Sequence, residues 1–169
     1  MLELTLISIM APALTSALLY LLKDKVDRYA SWLATVVSGV SLLSIAATYS
    51  YVAEGQHVLF SYPWIPSLGL SFGLYLDTTS FLLSLVIALV SFAACLYSVK
   101  YMEGKLGQAT YYSNLLLFMC GMIGVVYAAN LIQFYLFWEL MLIPSFFLVT
   151  FWGESENHFF KIVFADRRM

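Results

Sequence analysis

The sequence predicts an all-α membrane protein with about five transmembrane helices. Of its 169 residues, 62% are hydrophobic and 11% are charged, whereas soluble domains carry about 25% charged residues. Five apolar stretches are long enough to cross a bilayer, which takes about 20 residues. They form a single membrane domain over residues 1–169. The predicted spans are residues 4–22, 30–53, 78–99, 111–129 and 131–152.

The first two spans flank a short charged loop. Pro12 lies inside the first span and is expected to kink it, a defect that neighbouring helices compensate in a membrane. The positive charges Lys23, Lys25 and Arg28 follow this span, so it is predicted to be a retained helix and not a cleavable signal peptide. The second span contains small residues that favour close helix packing. These are Ser38, Gly39, Ser41 and Ser44.

The longest connection, residues 54–77, is predicted to form a small hairpin or folded loop on the membrane surface. Prolines and glycines divide it into short apolar runs, and Trp64 is expected at the interface. His57 is interpreted as an ordinary surface histidine. Asp77, at the start of the third span, is most simply an N-cap or a surface charge. The dividing residues are Pro63, Pro66, Gly69 and Gly73.

The fourth and fifth spans are joined almost entirely by Asn130. So tight a turn makes the two helices antiparallel neighbours. Cys120 and Gly124 lie four residues apart in the fourth span, a signal for close packing on one face. Beyond the fifth span, a polar loop leads to an apolar tail that is too short to cross a bilayer. In that tail, Lys161 is expected to snorkel to lipid headgroups, and His158 has no visible partner.

The positive charges predict the orientation of the chain. With five spans, all eight Lys and Arg residues fall after the first, third and fifth spans, and none falls on the other side. The positive-inside rule therefore places the N-terminus outside and the C-terminus in the cytoplasm. The same pattern supports a count of five, because a missed or invented helix would scatter the charges over both sides.

Composition and motifs exclude several functional classes. No basic run or acidic tail indicates nucleic-acid binding, and there is no phosphate loop, nucleophile elbow or HExxH motif. Cys95 and Cys120 lie in different apolar segments, so each is interpreted as a small hydrophobe in a helix. The aromatic residues, 17% of the chain, are attributed to lipid contact and packing. No cofactor or metal site is predicted.

The chemical candidate is Glu139, the one charged residue in the fifth span, which reads LIQFYLFWELMLIPSFFLVTFW. It lies about 12 Å along the helix from Leu131, close to the centre of a hydrocarbon core of about 30 Å. A carboxylate there costs about 2.5–3.5 kcal/mol on insertion scales. No Lys, Arg or His within the five spans is placed to pair with it. A positive partner or water must therefore come from elsewhere if Glu139 ionises.

The residues alone leave two interpretations of Glu139 open. It either stays protonated and hydrogen-bonds a neighbouring helix as packing glue, or it takes part in moving protons or ions, as carboxylates in membrane spans commonly do. Tyr135, one turn earlier on the same face, is placed to hydrogen-bond it. Pro144 is expected to bend the helix just beyond Glu139, which would let water or a polar side chain approach.

The stretch FYLFWELMLIPSFFLVTFWG, residues 134–153, closely resembles the fifth transmembrane helix of the antiporter-like subunits of respiratory complex I. The segment FWELMLIP is most similar to the M subunit, called subunit 4 in mitochondria. Two upstream segments are also similar: residues 64–80, WIPSLGLSFGLYLDTTS, and residues 97–102, YSVKYM. Asn130 stands at the tight turn where the family commonly has Asn or Asp. The resemblance extends to about residue 164.

This resemblance implies a proton-translocating membrane subunit of a complex I-like NADH (or other donor):quinone oxidoreductase in the cell membrane. Such subunits build a proton channel from two inverted helix repeats. A glutamate on the fifth helix, matching Glu139 here, pairs with a lysine on the seventh. The family further implies other membrane subunits as partners, and no flavin, iron–sulfur cluster or haem in this chain.

The chain departs from the family in length, because family members continue through many more helices. The expectation is therefore a truncated, split or frameshifted product that lacks the lysine partner. Two alternatives remain. One is a subunit of an Mrp-type Na⁺/H⁺ antiporter or a membrane-bound hydrogenase, which share the architecture. The other is a non-transporting fragment or scaffold.

Overall fold

The computed structural model describes residues 2–55, 57–65, 70–105 and 107–152. Its regular elements are seven α-helices, one 3₁₀ helix (Asp27–Tyr29) and one two-stranded antiparallel sheet within those ranges. The helices are α1 (Leu2–Leu21), α2 (Lys23–Val26), α3 (Ala30–Ala46), α4 (Tyr49–Ala53), α5 (Thr78–Tyr101), α6 (Gln108–Tyr127) and α7 (Leu131–Trp152), and the strands are β1 (Val58–Ile65) and β2 (Leu70–Leu76).

Five helical segments in the described residues are long and apolar enough to cross a membrane, which confirms the predicted all-α membrane fold. They correspond to α1, to residues 27–53, and to α5, α6 and α7. The second span was expected to be continuous, but a turn separates α3 from α4. There the Thr48 hydroxyl donates to the Ile45 carbonyl at 2.7 Å. The Thr48 backbone N–H donates to the same carbonyl at 2.9 Å, so the backbone here follows a tighter i to i−3 turn instead of the α-helical pattern.

Helices α1, α3, α5 and α6 form a bundle, and α7 packs mainly against the outer side of α6. Half of the α6 span is buried, compared with 11% of the α7 span. The small residues predicted to pack in the second span are Ser38, Ser41 and Ser44, all buried, and Gly39, which faces the Phe92 ring. Cys95 and Cys120 are buried free thiols, as predicted.

Hydroxyl groups connect the bundle helices where lipid offers no hydrogen-bonding partner. Ser16 on α1 and Ser113 on α6 each donate to the other's backbone carbonyl at 2.8 Å. The Tyr127 hydroxyl on α6 donates to Ser84 on α5, also at 2.8 Å. Polar bonds of this kind hold helices together in membranes, where apolar surface gains little by leaving lipid for protein.

Two glycines allow α7 to approach α6. A Cβ atom at Gly121 would lie 2.8 Å from the Cβ of Met141, and one at Gly124 would overlap the Phe137 ring. Real Cβ atoms do not approach other atoms so closely. The close-packing role predicted for Gly124 is therefore confirmed, and Gly121 shares it.

The connection between the second and third spans is the predicted hairpin. Its strands pair from Val58 opposite Leu76 to Ile65 opposite Leu70, with an irregularity near Pro63. Leu74 and Leu76 are buried against the helices, whereas Trp64 is exposed. An isolated bridge joins Leu74 to Ala128, in the turn between α6 and α7. The hairpin therefore docks at the end of the bundle where α7 begins.

A second contact, at the opposite end of the bundle, joins the connection after the first span to the start of α6. The Asp27 carboxylate accepts a 2.7 Å hydrogen bond from the backbone N–H of Ala109, in the first turn of α6. The connections after the first and third spans thus meet at one end, and those after the second and fourth meet at the other. This alternation agrees with five crossings, and the cytoplasmic assignment of the Asp27 end stays a prediction. Helix α1 continues through Pro12, and the kink there also stays a prediction.

We predict that Gly124→Leu lowers the free energy of unfolding by about 1–3 kcal/mol, the usual cost of overpacking. The leucine cannot fit beside Phe137 unless α7 moves away from α6. The measurement is an SDS titration in mixed micelles followed by circular dichroism. Ala46→Leu, at an exposed position of α3, is the control and should unfold like the wild type. Equal stability of the two variants would contradict the close contact.

Candidate functional site

Glu139 lies on the exposed side of α7, away from the four-helix bundle. Its nearest polar neighbour on the helix is Tyr135, whose hydroxyl is close enough to interact with the carboxylate; the hydrogen bond predicted between them stays a prediction. Both side chains are exposed on the surface of the described chain. A carboxylate in this position is available to a group that approaches α7 from outside the bundle.

No cationic side chain in the described part of the chain forms an ion pair with Glu139. An ion pair of 2.6 Å joins Lys100 to Glu103 at the end of α5, where both side chains are exposed. That no counter-charge for Glu139 lies in the five spans stays a prediction. Helix α7 also continues through Pro144, so the predicted bend stays a prediction.

The surface around Glu139 is apolar and extensive. Large side chains on α7 are exposed on several sides of the helix, so this surface faces lipid or further protein. Exposed members of this set are Leu131, Ile132, Leu136, Trp138, Leu142, Ile143, Phe146 and Val149.

The beginning of α7 is held by two amide side chains. The Asn130 side chain accepts from the backbone N–H of Gln133 at 2.8 Å and so caps the helix, while its amide nitrogen donates to the Ser71 carbonyl at 2.6 Å. Gln133 is 3% exposed, and its Oε1 atom accepts from the Gly73 N–H at 2.9 Å. The tight turn predicted at Asn130 therefore also anchors the hairpin.

Sequence reasoning did not identify Gln133. A signal was present, because an amide three residues beyond Asn130 interrupts the apolar run LIQFYLF. The Nε2 atom of Gln133 is buried without a hydrogen-bond partner among the described residues. The contact between Gln133 and Gly73 therefore depends on the Oε1 atom of Gln133.

Gly73 is required where β2 meets the turn. Its carbonyl accepts from the Ala129 N–H at 3.3 Å. A Cβ atom here would lie 2.7 Å from the Ala129 Cβ and 3.0 Å from the Phe60 carbonyl oxygen. Only a residue without a side chain lets β2 lie this close to the start of α7.

A cavity of about 330 Å³ lies beside this contact, lined by residues of both the hairpin and α7. Asn130 and Gln133 line it near the hairpin, and Leu136 and Leu140 line it further along α7. Leu140 directly follows Glu139, so the cavity extends from the end of the bundle to the level of the carboxylate.

Asp77 is the N-cap of α5, one of the two predictions made for it. Its carboxylate accepts from the Ser80 N–H at 2.8 Å, and the Ser80 hydroxyl accepts from the Asp77 N–H at 2.7 Å. The Ser80 backbone N–H is the main reason that the pKa of Asp77 lies below its ordinary value, because it stabilises the charged form. Asp77 is thus a structural residue.

The other candidates add no chemistry to this site. His57 is exposed and stacks near Tyr75, with 6.3 Å between ring centroids, in agreement with a surface histidine. Lys161 and His158 lie outside the described residues. Within the described residues, no three His, Cys, Asp or Glu side chains are grouped to hold a metal ion.

Two family models match two separate segments of the chain. Residues 64–112 match the N-terminus of chain 5 of NADH-ubiquinone oxidoreductase (complex I). Residues 128–159, which include Glu139, match the transmembrane model of NADH:quinone oxidoreductases and Mrp antiporters.

Known proteins and structures agree with these matches. Subunit A1 of a Na⁺/H⁺ antiporter from Staphylococcus haemolyticus (strain JCSC1435) is 36% identical over 144 residues, which are 85% of this chain and 18% of that protein. A chain of the Mrp complex from Dietzia sp. DQ12-45-1b superposes with a TM-score of 0.74 at 26% identity, over 88% of this chain and 28% of that one. A chain of Thermus thermophilus respiratory complex I with bound NADH gives 0.69 at 28% identity, over 88% and 29%.

The five spans and these similarities define a multi-pass protein of the cell membrane, built like subunits of large membrane complexes. The chain belongs to the complex I and Mrp antiporter-type membrane subunit family, as the resemblance around Glu139 predicted. It spans 18% of the length of the Staphylococcus relative. The more specific assignment to the M-type subunit stays a prediction, since the N-terminal match is to chain 5.

We predict that Glu139→Gln changes the free energy of unfolding of the 169-residue chain by less than about 0.5 kcal/mol, the range for surface substitutions. The carboxylate makes no hydrogen bond to another helix in the described structure, so it does not hold the fold together. As a comparison, Ser16→Ala combined with Ser113→Ala removes the reciprocal bonds between α1 and α6 and should cost about 1–2 kcal/mol. SDS titration measures both, and a larger cost for Glu139→Gln would instead support the packing-glue interpretation.

Proposed function

We propose that this chain is part of an antiporter-like subunit that moves protons across the cell membrane, with Glu139 as the proton-relay and ion-pairing carboxylate. The observation that carries the proposal is the position of Glu139. It lies about 12 Å into an apolar span, on an exposed face, with no cation paired to it in the described chain. Its partner is expected on a segment or subunit that covers this face of α7.

The physical chemistry of such a site favours proton transfer. A carboxylate in a low-dielectric region is neutral when alone and ionised when a cation lies close by. Approach or withdrawal of the partner therefore loads or releases a proton at a fixed point in the membrane. The hydroxyl of Tyr135 is the nearest polar group on α7 to accept or donate a hydrogen bond as the charge changes.

Two kinds of assembly would use such a subunit. In the first, electron transfer from NADH or another donor to a quinone, performed by other subunits, drives the protons. In the second, the subunit exchanges Na⁺ for H⁺ with other Mrp-type membrane subunits. The name of the Staphylococcus relative, a Na⁺/H⁺ antiporter subunit, favours the second, and the chain 5 match supports the first.

Substitution of Glu139 in the complete membrane assembly tests its proposed role in proton translocation. Glu139→Gln keeps the size of the side chain and cannot ionise, so proton translocation in inverted vesicles should fall at least about tenfold, as it does when a proton-transferring group is lost. Glu139→Asp should retain part of the activity, because it can still carry the proton.

Glu103→Gln is the matched control, since Glu103 is an exposed acid in a loop. It should leave translocation unchanged. Full translocation by Glu139→Gln at normal assembly levels would remove Glu139 from the mechanism.

A vesicle assay distinguishes Na⁺/H⁺ exchange from redox-driven proton translocation. In vesicles with a pH-sensitive dye, Na⁺ added without any electron donor should collapse an imposed pH gradient if the assembly is an antiporter. If it is redox-driven, acidification of the vesicle interior should instead require NADH or another donor together with a quinone. Glu139→Gln should abolish whichever response the wild type gives.

A further inference from the structure

Helix α7 lacks a polar stripe that would fix its rotation in lipid. Apart from Gln133 and Glu139, its first eleven residues are apolar or aromatic on all sides. A helix that is apolar all round gains almost the same free energy at any rotation in an apolar solvent. Its orientation must therefore be set by specific contacts.

The described structure supplies two such contacts. One is the close approach of Met141 and Phe137 to Gly121 and Gly124 on α6. The other is at the beginning of α7, where Asn130 bonds the Ser71 carbonyl and Gln133 bonds the Gly73 N–H. The second contact joins α7 to β2, which is itself held by buried Leu74 and Leu76.

Small rotations of α7 matter to Glu139 because its carboxylate lies far from the helix axis. Side chains reach about 5–6 Å from the axis, so a rotation of about 20° displaces the tip by about 2 Å. That distance separates a hydrogen-bonded ion pair from one that is not bonded. Gln133 lies six residues before Glu139, or about 9 Å along the axis.

We infer that Asn130 and Gln133 are positioning residues for Glu139: by bonding α7 to the hairpin, they set the rotation and depth at which the carboxylate meets its partner. The inference rests on the proposed function of Glu139. The hairpin then holds α7, the helix that carries Glu139, in place at this end of the bundle.

The test compares two substitutions of Gln133 in the complete membrane assembly. Gln133→Met keeps the volume and removes the acceptor for the Gly73 N–H. Gln133→Glu keeps an oxygen at that place; because the position is buried and no cation of the described residues is near, the carboxyl group is expected to stay protonated, so it replaces only the Nε2 group, which has no partner. The control is Gln108→Met, at the start of α6, whose amide makes an exposed 3.4 Å contact with the Lys105 carbonyl.

The first readout is the rotational phase of α7. Nitroxide labels are attached one at a time at residues 134–146 of a chain in which Cys95 and Cys120 are replaced by alanine. The collision rates of the labels with oxygen vary with the 3.6-residue period of the helix, and the position of the maximum gives the rotational phase of α7. Gln133→Met should shift the phase by about 20° or more, whereas Gln133→Glu and Gln108→Met should not. Loss of stability alone would not produce a uniform shift in phase.

The second readout is proton translocation. Gln133→Met should lower the rate about two- to tenfold, which corresponds to the net worth of one hydrogen bond, and Gln133→Glu should restore it. Gly73→Ala breaks the same contact from the hairpin and should behave like Gln133→Met. An unchanged phase and rate in both Gln133→Met and Gly73→Ala would overturn the inference.

The two proposals fail in different ways. If Glu139→Gln pumps normally, the proposed function is wrong whatever Gln133 does. If Glu139→Gln is inactive while Gln133→Met and Gly73→Ala pump normally with an unshifted helix, the carboxylate acts without this anchor, and the positioning role alone is wrong.

Discussion

The close contact between α6 and α7 is the constraint on which the described structure depends. In a membrane, apolar side chains gain little by leaving lipid for protein, so helices associate through close packing and polar bonds. Gly121 and Gly124 supply the packing for α7 by leaving room for Met141 and Phe137. Without this contact, the helix that carries Glu139 would have no fixed neighbour along most of its described length.

The two sides of α7 consequently have different tasks. One side is held by α6 and by the hairpin, and the other presents Glu139 on an apolar surface. Under the proposed function, this division keeps the carboxylate accessible to a partner while its helix stays in place.

Much of the fold was predictable because membrane spans are specified by composition and length. The five spans, the hairpin, the Asp77 cap and the packing role of Gly124 all follow from local signals of this kind. The break at Thr48 was not predicted, since a threonine in an apolar run is compatible with an unbroken helix. The role of Gln133 was missed because its partner, Gly73, is 60 residues away, and only the docking of the hairpin brings the two together.

The hydroxyl bonds of the bundle have a consequence for any cycle in which Glu139 gains and loses a proton. The contacts from Ser16 to Ser113 and from Tyr127 to Ser84 involve groups that carry no charge at cellular pH. Acidification of one compartment therefore leaves these interhelical links intact. Under the proposed function, the bonds between the bundle helices would not titrate while Glu139 gains and loses its proton. The change of charge can then be confined to α7, at the edge of the bundle.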